Sequence, residues 1–189
     1  MGKQEIFDAT KSLLWDIGYE AMSPRTVMDA SGSGQGSLYH HFKSKKDLAN
    51  AVLSDVATQL KEDADSIFKS AASPLTQILT YLTVERAPLK GCRVGRLAFE
   101  NSVVADSDLR AHLEDYFKHI QMLVEQALEN AIRSGELPDD LKVQEIAALV
   151  MSSIQGGYLI SRATQNAEFM SLSTGAMTEF LQRIRRKQG

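Results

Sequence analysis

Apolar side chains recur along this chain at steps of three and four, the period of helices that bury one face. Ile6, Phe7, Leu13, Leu14 and Ile17 mark a first helix that ends at Gly18. Ser23 followed by Pro24 gives an N-cap and a proline at the first helical position, so a second helix runs through Val27 and Ala30 and stops at Gly32. After the tight turn Gly32-Ser33-Gly34-Gln35-Gly36, a short third helix carries Leu38, Tyr39 and Phe42. Ser44 caps a long fourth helix with Leu48, Val52, Val56, Leu60, Ile67 and Phe68 on one stripe.

Ser73-Pro74 repeats the start signal for a helix through Ile78, Leu79 and Leu82 that ends near Pro88. A further helical segment covers Val94 to Val104. Ser107 is the expected cap of a long helix from Leu109 to Ile132, stopped by Gly135 and Pro138. Two last helices cover Val143 to about Thr164 and about Ser173 to Arg186. No alternation of the strand kind appears, so the expected fold is all-α with about nine helices. The Gly156-Gly157 pair marks a close backbone approach, either to an internal neighbour or to a second subunit.

Composition narrows the class. The 189 residues are 43% hydrophobic and 24% charged, the balance of a globular chain with a packable core. The apolar run Ala147 to Met151 is far shorter than a membrane span. The first residues lack the apolar stretch of a secretory leader. Cys92 is the one cysteine, so no internal disulfide can form, and a reducing cytoplasm is the expected compartment. The net charge of −3 argues against a polycationic nucleic-acid coat. Yet His40, His41, Lys43, Lys45 and Lys46 crowd into seven positions of a neutral N-terminal stretch, a local basic cluster suited to phosphate.

That cluster sits beside a helix-turn-helix pattern, Pro24 to Ser31 and Gln35 to Phe42. In such a motif the first helix braces against the DNA backbone, and the second offers its first residues to base edges in the major groove. Ser33, Gly34, Gly36 and Ser37 are small enough for close approach. Gln35 can make paired hydrogen bonds to an adenine edge. Tyr39, His40, Lys43 and Lys45 suit phosphate oxygens, which position a protein without specifying sequence.

The stretch SLYHHFKSKKDL, Ser37 to Leu48, resembles the signature of the tetracycline-repressor (TetR/AcrR) family of bacterial regulators. Trp15, Gly18 and Tyr19 fill its upstream positions, and Gly32, Gly36, Leu38, Tyr39, His41, Phe42, Lys45 and Leu48 the later ones. The chain departs from the family pattern at Ser33, where an apolar residue is usual, and at Gly34, where Ser or Thr is. The resemblance implies that Gln35 and Ser37 face bases, and that Arg25, Thr26, Tyr39, His40 and Lys45 meet the DNA backbone. It implies a DNA-binding domain over 1–48 and a ligand-binding and dimerisation domain over 49–189. The partners it implies are a palindromic double-stranded operator, a small apolar or amphipathic inducer, and a second copy of the chain.

Tyr81, Cys92, Phe99, Tyr116, Met151 and Tyr158 are the candidate ligand-binding residues. Gly91 to Glu100 also resembles a Gly-Cys element of one branch of the family. Cys92 is expected in the first turn of a helix beside Lys90, Arg93 and Arg96, where a thiolate is favoured; the other reading is a small packing residue. His112, Glu114, Asp115 and His119 read as a solvated face, so no metal is expected. No nucleotide, protease or hydrolase signature is present, and neither a cofactor nor catalysis is expected. The expectation is therefore a homodimeric, ligand-responsive repressor. A helical adaptor without DNA function and a thiol-based sensor of the same build are the competing readings.

Overall fold

The computed structural model describes residues 2–186, and every regular element among them is helical. The order is α1 (Lys3–Asp16), α2 (Gly18–Ala21), α3 (Pro24–Ser31), α4 (Gln35–His41), α5 (Lys45–Phe68), α6 (Pro74–Thr83), a 3₁₀ turn (Gly95–Phe99), α7 (Asn101–Ala105), α8 (Ser107–Arg133), α9 (Val143–Thr164) and α10 (Glu168–Arg183). The chain forms two compact units. Residues 2–60 and Cys92–Tyr116 make the first; Lys61–Gly91 and 117–186 make the second.

In the first unit the start signals act as their chemistry requires. Ser23 Oγ accepts from the Thr26 N–H at 3.1 Å, and Thr26 Oγ1 accepts from the Ser23 N–H at 2.9 Å, so each satisfies a donor of the other. Gly32 ends α3 at φ +65°, a left-handed conformation that glycine adopts without penalty. Ser44 Oγ accepts from the Asp47 N–H at 3.0 Å and starts α5. The one-turn α2 goes beyond what periodicity predicts. Gly18 takes φ +85° there, and a Cβ would stand 1.9 Å from Glu100 Oε1. α1 packs on α3 and α4. Ile6, Leu14, Val27, Leu38, Phe42 and Leu48 are buried in this unit.

The segment expected as one helix over 94–104 is broken at Glu100, whose backbone is extended at φ −98° and ψ 116°. Its carboxylate is drawn aside to accept from the Tyr19 N–H at 3.1 Å and the Glu20 N–H at 2.6 Å. Glu20 Oε1 in turn accepts from the Ser102 N–H at 3.0 Å and the Ser102 hydroxyl at 2.9 Å. Two short helices thus exchange carboxylate caps. The start of α8 is capped by Asp106 rather than Ser107: Asp106 Oδ1 accepts from the Asp108 N–H at 3.0 Å and the Leu109 N–H at 3.2 Å.

In the second unit, α6 stops at Thr83, ahead of Pro88, because Arg86 takes over its last carbonyls. The guanidinium donates to Tyr81, Leu82 and Val84 oxygens at 2.6, 3.0 and 2.8 Å. α9 and α10 form an antiparallel hairpin closed by Gln165 at φ +52°. α10 starts five residues early, since Asn166 Oδ1 accepts from the Glu168 N–H at 3.0 Å. Gly157 is the close approach in this hairpin, and the neighbour is internal. A Cβ there would meet Met170 Sδ at 2.8 Å. Gly156 faces open space.

Gly157→Leu is therefore expected to destabilise the α9–α10 hairpin by about 1 to 3 kcal/mol through overpacking. Gly156→Ala should be neutral or slightly stabilising. Thermal unfolding of the two variants checks both, and an unchanged midpoint for Gly157→Leu would contradict the close approach.

Candidate nucleic-acid interface

Gly34 precedes α4 in an extended conformation and makes no side-chain cap, so the first turn of α4 is bare. Gln35 and Gly36 are exposed there and Ser37 is half-buried. Nothing stands within 4 Å of a Cβ built at Gly34 or Gly36. The opposite face of α4 is fixed by Leu38 and Phe42, exposed by only 3% and 4%. Ser33, polar where the family pattern is apolar, is nevertheless buried. Its hydroxyl lies 2.7 Å from Ser31 Oγ, and that pairing removes the penalty of burying it.

Around this turn lie the other expected DNA contacts. Tyr39 is 45% exposed, and His40 and Lys43 are exposed. Arg25 is exposed on α3, 3.8 Å from Asp29. Thr26 is half-buried, its hydroxyl spent on the Ser23 cap. Lys45 is also half-buried. Its Nζ stands 4.4 Å from the centre of the Tyr19 ring and donates to the Glu20 carbonyl at 3.5 Å. The basic cluster is thus not uniformly available. Lys46 is bound at 2.8 Å to both Asp106 and Asp108, a clasp from the start of α5 to the start of α8. Those carboxylates raise the Lys46 ammonium above its ordinary value. Lys46 in turn holds Asp106 below the usual carboxylate range, with the Leu109 and Asp108 N–H groups adding to the effect.

The expected ligand-binding residues divide between the units. Cys92, Phe99 and Tyr116 belong to the first; Tyr81, Met151 and Tyr158 belong to the second. Tyr81, Cys92 and Tyr116 are buried, Met151 and Tyr158 are half-buried, and Phe99 is 76% exposed. Tyr81 packs against Phe68 with ring centres 5.3 Å apart. Cys92 precedes the 3₁₀ turn instead of opening a helix, and its buried Sγ accepts from the Gly95 N–H at 3.2 Å. Burial withdraws this sulfur from solvent-borne electrophiles, which favours the packing reading. Neither His112 nor His119 belongs to a solvated face. His112 Nε2 lies 2.7 Å from Asn50 Oδ1, and His119 Nε2 lies 2.7 Å from Asp65 Oδ1. Sequence reasoning missed the Lys46 clasp and the Glu20–Glu100 cap exchange; periodicity carries no signal for bonds across such separations.

Residues 6–52 match the family described as bacterial regulatory proteins of the tetR family. Residues 75–174 match the C-terminal domain of the LmrA/YxaF-like transcriptional regulators. An HTH-type transcriptional regulator in the lacX 3′ region of Lactococcus lactis subsp. lactis is 30% identical over 174 residues, covering 87% of this chain and 85% of that protein. The HTH-type transcriptional regulator LmrA of Bacillus subtilis (strain 168) is 22% identical, covering 96% and 97%. A TetR transcriptional regulator from Chloroflexus aurantiacus J-10-FL has the same fold at a TM-score of 0.86, with 21% identity and coverage of 98% and 96%.

The Lys46–Asp106 clasp carries a pH signature. Because the folded pKa of Asp106 is depressed, its stabilisation is present above the ordinary carboxylate value of 3.8 and is lost as pH falls through the lower, folded value. Asp106→Asn should lower stability near neutrality, and the difference from the parent protein should vanish in strong acid. Urea unfolding across pH checks it; a pH-independent difference would remove the charge from the account.

Proposed function

Since the chain belongs to the TetR family of bacterial transcriptional regulators, and is a DNA-binding regulator of that kind, we propose that it is a homodimeric repressor released from a palindromic operator by a small molecule. Residues 1–48 read the DNA, and 49–189 sense the ligand and dimerise. The inducer is small and apolar or amphipathic, and the Tyr81, Cys92, Phe99, Tyr116, Met151 and Tyr158 set contributes to its recognition. The protein works in the cytoplasm, by binding and not by catalysis.

The observation that carries this reading is the bare first turn of α4, mounted on a buried apolar base. Gln35, Gly36 and Ser37 are the base-facing positions. Arg25, Thr26, Tyr39, His40, Lys43 and Lys45 are the backbone contacts, with Thr26 and Lys45 exchanging intramolecular bonds for phosphate oxygens. Dimerisation is supported by an uncovered apolar stripe on the hairpin. On α9 it comprises Leu149, Gly156 and Leu159; on α10, Leu172, Gly175 and Phe180. These recur at helical steps on one face of each helix, and pairing with the same stripe of a second copy gives a four-helix interface. Ligand then shifts the population between two dimer geometries through its differential affinity for them.

Fluorescence anisotropy against an operator recovered from genomic fragments, and against a scrambled duplex, tests the DNA assignments. Gln35→Ala is expected to cost about 1 to 3 kcal/mol at one base pair of each half-site and to relax preference there. Lys43→Ala should weaken both duplexes alike and flatten the salt dependence by roughly one counterion. Gly36→Ala should leave the free protein as stable or up to ~1 kcal/mol more so, while weakening operator binding, because the added methyl meets only DNA. Equal loss on both duplexes for Gln35→Ala would contradict its reading role.

For assembly, Leu172→Glu should shift the protein to monomer without unfolding it and abolish cooperative operator binding. Sedimentation velocity checks this. An unchanged dimer would take the α10 stripe out of the interface.

A further inference from the structure

Between α1, α5 and the Cys92–Arg96 segment, the first unit encloses a half-open cavity of about 240 Å³. Its floor is apolar, made of Leu14, Leu53 and Val56, none more than 5% exposed. Trp15 forms one wall. The Arg93 guanidinium lies over that ring, 4.4 Å from its centre, and Arg96 donates to the Trp15 carbonyl. The indole is thereby pinned on its face and through its backbone. None of the residues assigned above to the inducer lines this space.

The polar groups at the cavity differ in how far they are committed. Lys11 Nζ is already held by Asp55 at 2.6 Å and Gln59 at 3.3 Å. Asp8, on the exposed side of α1, accepts from the Gln4 amide at 3.0 Å. Arg93 is half-buried, and among the described residues it makes no ion pair; its guanidinium lies over the Trp15 ring. A guanidinium held over an aromatic ring makes no hydrogen bond to it, so its N–H donors remain for a ligand, in the fork geometry that matches a carboxylate. An apolar floor, a flat aromatic wall and one uncommitted guanidinium together describe a recognition site.

We propose that this cavity is a second small-molecule site, which binds a monocarboxylate with a flat apolar body, the carboxylate on Arg93 and the body against Trp15, Leu14 and Val56. The volume is below the roughly 300 to 1,000 Å³ of drug-sized sites, so a body of one ring fits. A single negative charge is what the lining accepts. With Lys11 neutralised by Asp55 and Asp8 at the opening, a second carboxylate on the ligand meets repulsion. The site does not depend on operator binding or on the inducer assignment, and its occupancy is measured without either.

Trp15 is the one tryptophan of the chain, so its fluorescence reports this cavity directly. Benzoate titrated into the full-length protein, with excitation at the red edge of the indole band, should give a saturable change. Benzamide, the neutral isostere, and phthalate, the dianion, should each bind at least about tenfold more weakly. Arg93→Gln should weaken benzoate by a similar factor, read by calorimetry so that the altered environment of Trp15 does not enter. Ser12→Leu, an exposed substitution at the mouth, should weaken it while leaving every charge in place. No saturable response to benzoate, equal binding of benzamide, or undiminished affinity in Arg93→Gln would each overturn the proposal.

Discussion

Glu100 and Glu20 each spend a carboxylate on the N–H groups of the other's short helix, and the architecture of the first unit follows from that exchange. One-turn helices such as α2 and α7 have too few internal bonds to persist alone, because nucleation fixes several dihedrals for each bond formed. Their orphan N–H groups need acceptors, and charged acceptors are the stronger ones. Because the two carboxylates come from segments some eighty positions apart, satisfying them brings 92–108 back onto the first helices. Gly18 is indispensable to this arrangement: its positive φ aims the N–H groups, and its missing Cβ admits the Glu100 carboxylate.

The same return of the chain sorts the basic residues. Lys46 is drawn into the Asp106–Asp108 clasp and Lys45 onto Tyr19, while Lys43, His40 and Arg25 remain exposed. A run that looks uniformly cationic along the chain thus separates into groups that hold the unit together and groups left exposed to solvent. The first turn of α4 stays bare because its small residues ask nothing of their neighbours, while Leu38 and Phe42 anchor the other face. Recognition of DNA needs this combination of a rigid base and an open surface.

In the second unit, one hairpin separates two uses of glycine. Gly157 lets Met170 approach within the chain, and its neighbour Gly156 opens onto the apolar stripe of α9. Adjacent residues on a helix point about 100° apart, so a pair that reads as one feature along the chain serves two faces. That is why the choice between an internal neighbour and a second subunit stayed open in the sequence, whereas the structure gives Gly157 an internal neighbour and leaves Gly156 facing open space.

The sequence by itself determined what local chemistry dictates. Helical period, the Ser23-Pro24, Ser44 and Ser73-Pro74 starts, and the spacing from Gly32 to Leu48 were sufficient for an all-helical chain with a helix-turn-helix and for its family. Each of these signals spans fewer than about twenty residues, within reach of hydrogen bonds and side-chain packing along one or two helices. What only the tertiary structure decided depends mostly on contacts between distant positions. The break at Glu100, the Lys46 clasp onto Asp106 and Asp108, and the placing of Arg93 over Trp15 are of this kind. The capping of α8 by Asp106 and the early end of α6 under Arg86 rest on short-range bonds that helical period does not signal. A carboxylate or guanidinium looks alike in the sequence whether it faces water or a backbone amide. Its partner is chosen only when the chain brings them within about 3 Å, and that choice belongs to the fold.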